Sequence, residues 1–168
     1  MFLTVGEPIL IFDFDNSSSL RSWLVIDDGV MGGRSEGNLL MTEDGHAMYY
    51  GDVSLENNGG FSSLRHRFST RELQGQKQLY IRLKGDGKKY QVRLKTDQRD
   101  YYSYINYFET TGEWQEVIID LNSLYPSFRG RRLRGQNYPA EYLSEIGFLI
   151  GNKKAESFEL LIDKIELR

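Results

Sequence analysis

The chain has 168 residues and a formal net charge of −3, from 21 Lys and Arg against 24 Asp and Glu, and this length suits a single domain spanning residues 1–168. The near-neutral balance argues against a protein that binds nucleic acid or an anionic membrane through bulk charge. The lack of cysteine excludes disulfides, thiol catalysis and Cys-ligated zinc.

Short segments rich in aromatic and β-branched residues follow one another along the chain, separated by glycine turns. This composition predicts strands at 9–14, 23–27, 37–41, 46–55, 61–68, 78–84, 90–96, 102–110, 114–119, 146–150 and 158–167. Single helical turns are expected after Asn16 or Ser17 and after Pro139. Many short strands with so little helix predict an all-β, single-domain β-sandwich.

The dipeptide Asp86-Gly87 predicts a two-residue type I′ turn. The flanking strands then pair as a hairpin with Ile81 opposite Val92, and the next strand continues the sheet with Ile105 opposite Val92. This register gathers polar and aromatic side chains on one face: Tyr80, Arg82, Gln91, Arg93, Lys95, Tyr102, Tyr104 and Asn106. The face is either a solvated sheet surface or a recognition surface, because Tyr and Arg are frequent in binding sites.

Two glycine-rich segments have the composition of shaped loops. The first contains Asp28, Gly29, Met31, Gly32, Gly33 and Arg34, and the second contains Asn58, Gly60, Phe61 and Arg65. One interpretation is structural, since a loop aspartate accepts backbone N–H groups and the turns then hold sheet edges together. The other is a nest of backbone N–H groups that binds an anion, with Arg34 and Arg65 nearby.

An arginine run occupies 129–134, with Arg129, Arg131, Arg132 and Arg134 in a mildly acidic chain. Such a run is either a solvated loop or a binding site for an acidic partner or for phosphate groups. It is too short for general nucleic-acid binding.

Signals for catalysis or metal binding are sparse. The two histidines, His46 and His66, lack metal-ligand spacing, and neither a nucleophile elbow nor a phosphate-binding loop is present. We therefore expect no enzyme activity and no cofactor. A structural calcium ion remains an alternative to ordinary turn hydrogen bonds at the acids that end strands: Asp13, Asp15, Asp27, Asp28 and Asp163.

Three of these segments resemble the complex I intermediate-associated protein 30 family: DGVMGG at 28–33, NGGFSSLR at 58–65 and YQVRLKTD at 90–97. The likeness continues in order through 114–117, 128–131, 146–150 and 158–167, so it covers about 12–168. It implies a galactose-binding-like β-sandwich of the jelly-roll type. It also implies a role related to respiratory complex I assembly, with Asp28, Gly32, Gly33, Gly60, Phe61 and Arg65 as signature positions.

These observations together predict a non-catalytic domain that binds a protein partner, such as an assembly intermediate of a respiratory or other membrane complex. The alternative is a carbohydrate-binding module with a sugar ligand, since many such modules share the fold. The segment Met1–Glu7 lacks a basic, apolar export signal, and no apolar run approaches the ~18 residues of a membrane span. We therefore expect a cytoplasmic protein.

Overall fold

The computed structural model describes residues 6–168, without the side chains of Val30 and Met31. Its strands in chain order are β1 Ile9–Asp13, β2 Trp23–Asp27, β3 Glu36–Met41, β4 Ala47–Val53, β5 Ser62–Glu72, β6 Gln78–Lys84, β7 Lys89–Lys95, β8 Ser103–Glu109, β9 Trp114–Asp120, β10 Tyr125–Phe128, β11 Arg131–Arg132, β12 Tyr142–Ile150 and β13 Glu156–Leu167. Within residues 6–168, single 3₁₀ turns occupy Asp28–Met31, Glu56–Asn58 and Leu121–Ser123.

The strands form two antiparallel sheets. The first sheet has the order β3-β4-β13-β6-β9, and β1 pairs with the C-terminal part of β13. The second sheet has the order β11-β10-β8-β7-β12-β5-β2. Because every pairing is antiparallel, each sheet can bury one face and leave the other exposed to solvent. The chain is therefore the predicted all-β sandwich.

Alternating apolar side chains from both sheets fill a common core. In the first sheet Leu79, Ile81 and Leu83 of β6 are fully buried, and in the second sheet Ile146 and Phe148 of β12 are fully buried. Each such side chain contributes about 1.5–3 kcal/mol relative to exposure. The core thereby fixes which side chains remain on the two outward faces.

The predicted hairpin around Asp86-Gly87 is wrong. Strand β6 pairs with β13 and β9, whereas β7 pairs with β12 and β8, so the turn connects the two sheets. Ile81 and Val92 are both buried, but they belong to opposite layers of the sandwich. Tyr80 and Arg82 consequently lie on the outward face of the first sheet, away from Gln91 and Arg93.

The predicted register between β7 and β8 is wrong by one residue. Val92 lies opposite Asn106, and Arg93 lies opposite Ile105. Tyr104 and Asn106 therefore face inward: the ring of Tyr104 packs 5.3 Å from that of Tyr138, and Asn106 Nδ2 donates to Ser123 Oγ at 3.0 Å. Tyr104 and Asn106 were predicted on the outward face, and the structure places both on the inward face instead.

The predicted positions of the helical turns are also wrong. Residues around Asn16 form a turn in which the Ser17 N–H donates to the Asp15 carboxylate, and the chain after Pro139 runs directly into β12. Strands β10 and β11 were not predicted. None of the helices in the part of the chain described, 6–168, is long and apolar enough to span a bilayer.

Candidate functional site

A cleft of about 830 Å³ lies on the outward face of the second sheet. Its floor is formed by side chains of β5, β7, β8 and β12, and its walls come from the segment 55–61 on one side and from Tyr101 with the turn 128–130 on the other. The lining residues are Ile26, Leu55, Gly59, Gly60, Phe61, Arg65, Gln91, Arg93, Lys95, Tyr101, Ser103, Phe128, Arg129, Gly130, Leu149, Gly151 and Lys153.

Two arginines flank a glycine at the centre of the floor. Arg65 of β5 and Arg93 of β7 both lie opposite Gly147 of β12, so all three positions point to the outward face. A Cβ atom at Gly147 would lie 2.5 Å from the Leu64 carbonyl oxygen, which excludes a side chain there. The sheet therefore carries no side chain between the two arginines, and the Gly147 backbone itself is buried.

The neighbouring row of the floor contains a buried acid. Glu145 of β12 lies opposite Arg67 on one side and opposite Lys95 on the other. Arg67 Nε donates to Glu145 Oε1 at 2.6 Å, while Lys95 Nζ donates to the carbonyl oxygen of Asp100 at 2.6 Å. The Glu145 side chain is only 5% exposed and does not line the cleft.

Burial weakens the preference of the floor cations for their charged forms. Burial, reinforced by the nearby charge of Arg65 and opposed by Glu145, lowers the pKa of Arg93 to about 10. Burial likewise lowers the pKa of Arg65 and of Lys95, again opposed by Glu145. Arg93 is nevertheless protonated at neutral pH, and none of the described residues that line the cleft carries a carboxylate.

Asp28 fixes the loop that forms the first wall. It is fully buried and accepts hydrogen bonds from the N–H groups of Ser35 at 2.9 Å, Gly60 at 2.6 Å and Phe61 at 3.3 Å, together with the Ser35 hydroxyl. Burial alone would raise the pKa of Asp28, but the hydrogen bonds from Ser35, Gly60 and Phe61 outweigh it and the pKa is lowered. The anion in this nest of N–H groups is therefore the Asp28 carboxylate itself.

The same carboxylate explains two of the glycines. A Cβ atom at Gly33 or at Gly59 would lie 2.4 Å from the Asp28 side chain. Gly29 has open space at the corresponding position, and Gly32 adopts a positive φ of 85° at the end of the 3₁₀ turn. The glycine loops are thus built around one buried acid, which supports their structural interpretation.

Two of the other acids considered for calcium, Asp27 and Asp163, also have protein partners. Asp27 accepts from the Gly37 N–H at 2.9 Å and from Ser62 Oγ at 2.5 Å. Asp163 pairs with His46 at 3.4 Å and with Arg82 at 3.3 Å. Within residues 6–168, no three His, Asp or Glu side chains come together in an arrangement that could hold a metal ion.

The cleft unites residues from all three predicted regions: Gly60, Phe61, Arg65, Gln91, Arg93, Lys95 and Arg129. The remaining predicted residues lie elsewhere. Tyr102 packs edge-on against Tyr104 with 5.5 Å between ring centroids, and Arg132 lies 4.3 Å from the Tyr125 ring centroid on the sheet edge. Arg131 is exposed on β11, and Arg34 is exposed 3.6 Å from Glu56.

Some predicted loop residues support the cleft without lining it, and some lining residues were not predicted. Met31 lies in the 3₁₀ turn Asp28–Met31, and its side chain is outside the description, while Asn58 has a left-handed φ of 60° within the wall segment but does not line the cleft. Sequence reasoning missed Tyr101, Phe128, Leu149 and Lys153 as lining residues. The one sequence signal for these residues is that they lie next to motifs that were predicted.

Two antiparallel sheets with a cleft on the outward face of one of them define a galactose-binding-like β-sandwich of the jelly-roll type. The family 11 carbohydrate-binding module of the cellulosomal cellulase Lic26A-Cel5E of Clostridium thermocellum aligns with a TM-score of 0.68 and 13% identity, over 98% of this chain and 95% of the module. The agarase AgWH50C aligns with a TM-score of 0.64 and 13% identity, over 97% of this chain and 24% of the agarase. The predicted fold class is confirmed.

The chain belongs to the Complex I intermediate-associated protein 30 (CIA30) family, whose model matches residues 12–162. "Complex I intermediate-associated protein 30, mitochondrial" from Mus musculus is 28% identical over 180 residues, which cover 93% of this chain and 55% of the mouse protein. The counterpart of the same name from Drosophila melanogaster is 26% identical over 187 residues, covering 96% of this chain and 63% of the fly protein. This chain thus spans less than two thirds of either relative.

The comparisons confirm the resemblance predicted from the sequence motifs. They also overturn one prediction. Both relatives are named as mitochondrial proteins, so the predicted cytoplasmic location is wrong.

Proposed function

We propose that this chain is a non-catalytic assembly-factor domain that binds a protein partner during the assembly of respiratory complex I, and that the cleft on the second sheet is the contact surface. The observation that carries the proposal is family membership over residues 12–162, together with the names of two relatives as complex I intermediate-associated proteins.

The construction of the cleft supports a binding role. Its floor side chains stand on paired strands, and its first wall is held by the hydrogen bonds of Gly60 and Phe61 to Asp28. A site that is already ordered loses little conformational entropy when a partner binds. Arginine and tyrosine side chains, here Arg65, Arg93 and Tyr101, are frequent anchors of protein interfaces.

Affinity purification tests this proposal. The tagged chain, produced in cells that assemble complex I, should co-purify with complex I subunits identified by mass spectrometry. Arg129→Ala removes a cation that lines the cleft and should lower the recovery of these subunits at least about fivefold, whereas Arg131→Ala removes an exposed cation outside the cleft and should not. Failure of the unaltered chain to recover any complex I subunit contradicts the proposed function.

A second candidate function is the binding of an oligosaccharide in the same cleft. Tyr101 is 66% exposed and lies 5.1 Å from the Phe128 ring, so aromatic surface is available at the cleft wall for stacking against a sugar ring. Calorimetry with a β-1,3-1,4-mixed-linked tetrasaccharide and with β-1,4-galactotriose would show binding that Tyr101→Ala abolishes. No heat of binding at millimolar sugar contradicts this candidate.

A further inference from the structure

The positively charged side chains of the cleft floor outnumber the nearby carboxylates that could neutralise them. Arg65, Arg93 and Lys95 line it, and a fourth cation, Arg67, stands in the next row of the sheet. In the described part of the chain, Glu145 is the carboxylate that lies among these cations; it is hydrogen-bonded to Arg67 and lies below the cleft surface. The chain as a whole is mildly acidic, with a net charge of −3. The positive charge is therefore a local property of the cleft.

The two central guanidinium groups have unused hydrogen-bonding capacity. Arg93 Nη1 donates to the neutral Gln91 Oε1 at 2.8 Å. Among the described residues, none accepts a hydrogen bond from the Arg65 side chain, and the lining residues that share its floor are cations and neutral groups. A guanidinium group has five N–H donors and binds a carboxylate through two parallel hydrogen bonds. An incoming anion would supply the acceptors that this floor lacks.

The walls of the cleft present large apolar side chains beside the cation Arg129. Leu55 and Phe61 contribute one wall, Phe128 the other, and Leu149 and Ile26 extend the floor beyond the arginines. An inorganic anion would contact the guanidinium groups and leave these walls unused, and a neutral sugar would leave the charge unmatched. A volume of about 830 Å³ accommodates several side chains at once. The complementary ligand combines negative charge with bulky apolar groups.

We propose that the cleft binds an acidic peptide segment in which Asp or Glu side chains alternate with large apolar ones. The carboxylates of the segment contact Arg65 and Arg93, and its apolar side chains contact Phe61 and Phe128. This inference rests on the proposed function, because it specifies the chemistry of the segment that the protein partner presents.

Fluorescence anisotropy with labelled ten-residue peptides tests the inference. The probe set combines Asp or Glu with Phe or Leu in all alternating orders, and matched peptides carry Asn or Gln in place of the acids. We expect acidic members to bind below about 1 mM and their Asn/Gln counterparts to bind at least tenfold more weakly, since hydrogen bonds to charged groups are the strong ones. Raising the ionic strength should weaken the binding.

Variants locate the binding site. Arg65→Gln should weaken the acidic peptides about tenfold, whereas Arg82→Gln removes a strand cation on the outward face of the other sheet and should not. Lys153→Gln, at an exposed rim position, should weaken binding about threefold and serves as the second test if Arg65→Gln does not fold. Equal loss with Arg82→Gln overturns the assignment.

Competition separates the remaining ligand classes. Inorganic phosphate and an acidic oligosaccharide such as trigalacturonate should displace the labelled peptide only at concentrations at least tenfold higher than the concentration of unlabelled acidic peptide that displaces it. If either binds while no acidic peptide does, or if no acidic peptide binds below about 1 mM, the inference is overturned. Recovery of complex I subunits without peptide binding refutes the inference and leaves the proposed function standing. Peptide binding without recovery of complex I subunits supports the peptide site and contradicts the proposed role in complex I assembly.

Discussion

Asp28 shows how one buried side chain shapes the wall of the cleft. Its carboxylate connects the loop that follows β2 with the turn that precedes β5, through hydrogen bonds to Ser35, Gly60 and Phe61. Buried N–H groups without an acceptor cost about 1–3 kcal/mol each. Any movement of Gly60 or Phe61 away from the Asp28 carboxylate would break these hydrogen bonds and cost free energy. The carboxylate therefore fixes the shape of the wall.

The stability of the protein should depend on the ionisation of Asp28. Its pKa is lowered in the folded state, so the ionised form adds stability above pH about 4, where the unfolded chain is already ionised, and this stability disappears as the pH falls through the folded pKa. Asp28→Asn should cost about 1–3 kcal/mol at pH 7. Urea unfolding at pH 7, 5 and 3 should show this difference shrinking only below pH 4. A difference that stays constant to pH 3 contradicts the assignment.

The glycines around Asp28 should differ sharply in their tolerance of a side chain. Gly33→Ala places a Cβ atom 2.4 Å from the Asp28 carboxylate and should lower the free energy of unfolding by about 1–3 kcal/mol. Gly29→Ala, four residues earlier in the same loop, meets open space and should change it by less than about 0.5 kcal/mol. Thermal or urea unfolding measures both; equal costs would mean that the loop is not built around Asp28.

The sequence identified this loop as rich in glycine and aspartate, but it did not identify the anion that the N–H groups of the loop bind. An aspartate surrounded by glycines is compatible both with an internal carboxylate in a nest of N–H groups and with an external anion in the same nest. The alternatives differ only in whether Asp28 points toward the N–H groups of Gly60 and Phe61, which lie more than thirty residues further along the chain. No local pattern contains that information.

At the scale of elements, strand alternation was predictable and strand partnership was not. Leu79, Ile81 and Leu83 alternate with polar residues on β6, and their burial follows from that pattern. The pattern is the same whether β7 is a hairpin neighbour of β6 or a strand of the opposite sheet, because in both cases apolar side chains face the core. Both edges of β6 are occupied by β13 and β9, which come much later in the chain.

The connection between the two sheets should depend on Asp86. Its carboxylate accepts from the Lys88 N–H at 3.2 Å, the Tyr90 hydroxyl at 3.0 Å and the Glu159 N–H at 2.9 Å, so it ties the turn to both sheets. Asp86→Ala should lower the free energy of unfolding by about 1–3 kcal/mol.

Asp97→Ala provides the control for this prediction. Asp97 lies in the turn at the other end of β7 and pairs with Arg99, whose side chain is 90% exposed, so its removal should cost less than about 1 kcal/mol. Urea unfolding compares the two variants. An Asp86→Ala protein as stable as Asp97→Ala would show that the hydrogen bonds of Asp86 do not stabilise the connection between the sheets.

At the scale of the whole molecule, the candidate site is a product of the fold. Arg65, Arg93 and Arg129 come from strands or turns that lie far apart in the sequence, and they meet because β12 inserts between β5 and β7 while β8 and β10 extend the same sheet. The sequence motifs marked each segment separately. Their meeting in one cleft depends on a strand order that alternation does not encode.

The two sheets should unfold as one unit, because their inward side chains form a common core. The chain has two tryptophans, one in each sheet: Trp23 on β2 is buried against His66 with 4.6 Å between rings, and Trp114 on β9 packs 4.6 Å from His46. Trp23→Phe leaves a tryptophan fluorescence probe only in the first sheet, and Trp114→Phe leaves a tryptophan fluorescence probe only in the second. Within each variant, the urea midpoint from fluorescence should coincide with that from far-UV circular dichroism. A midpoint for one sheet that separates from the circular dichroism midpoint would show that each sheet forms an independent folding unit, and the cleft would then rest on the second sheet alone.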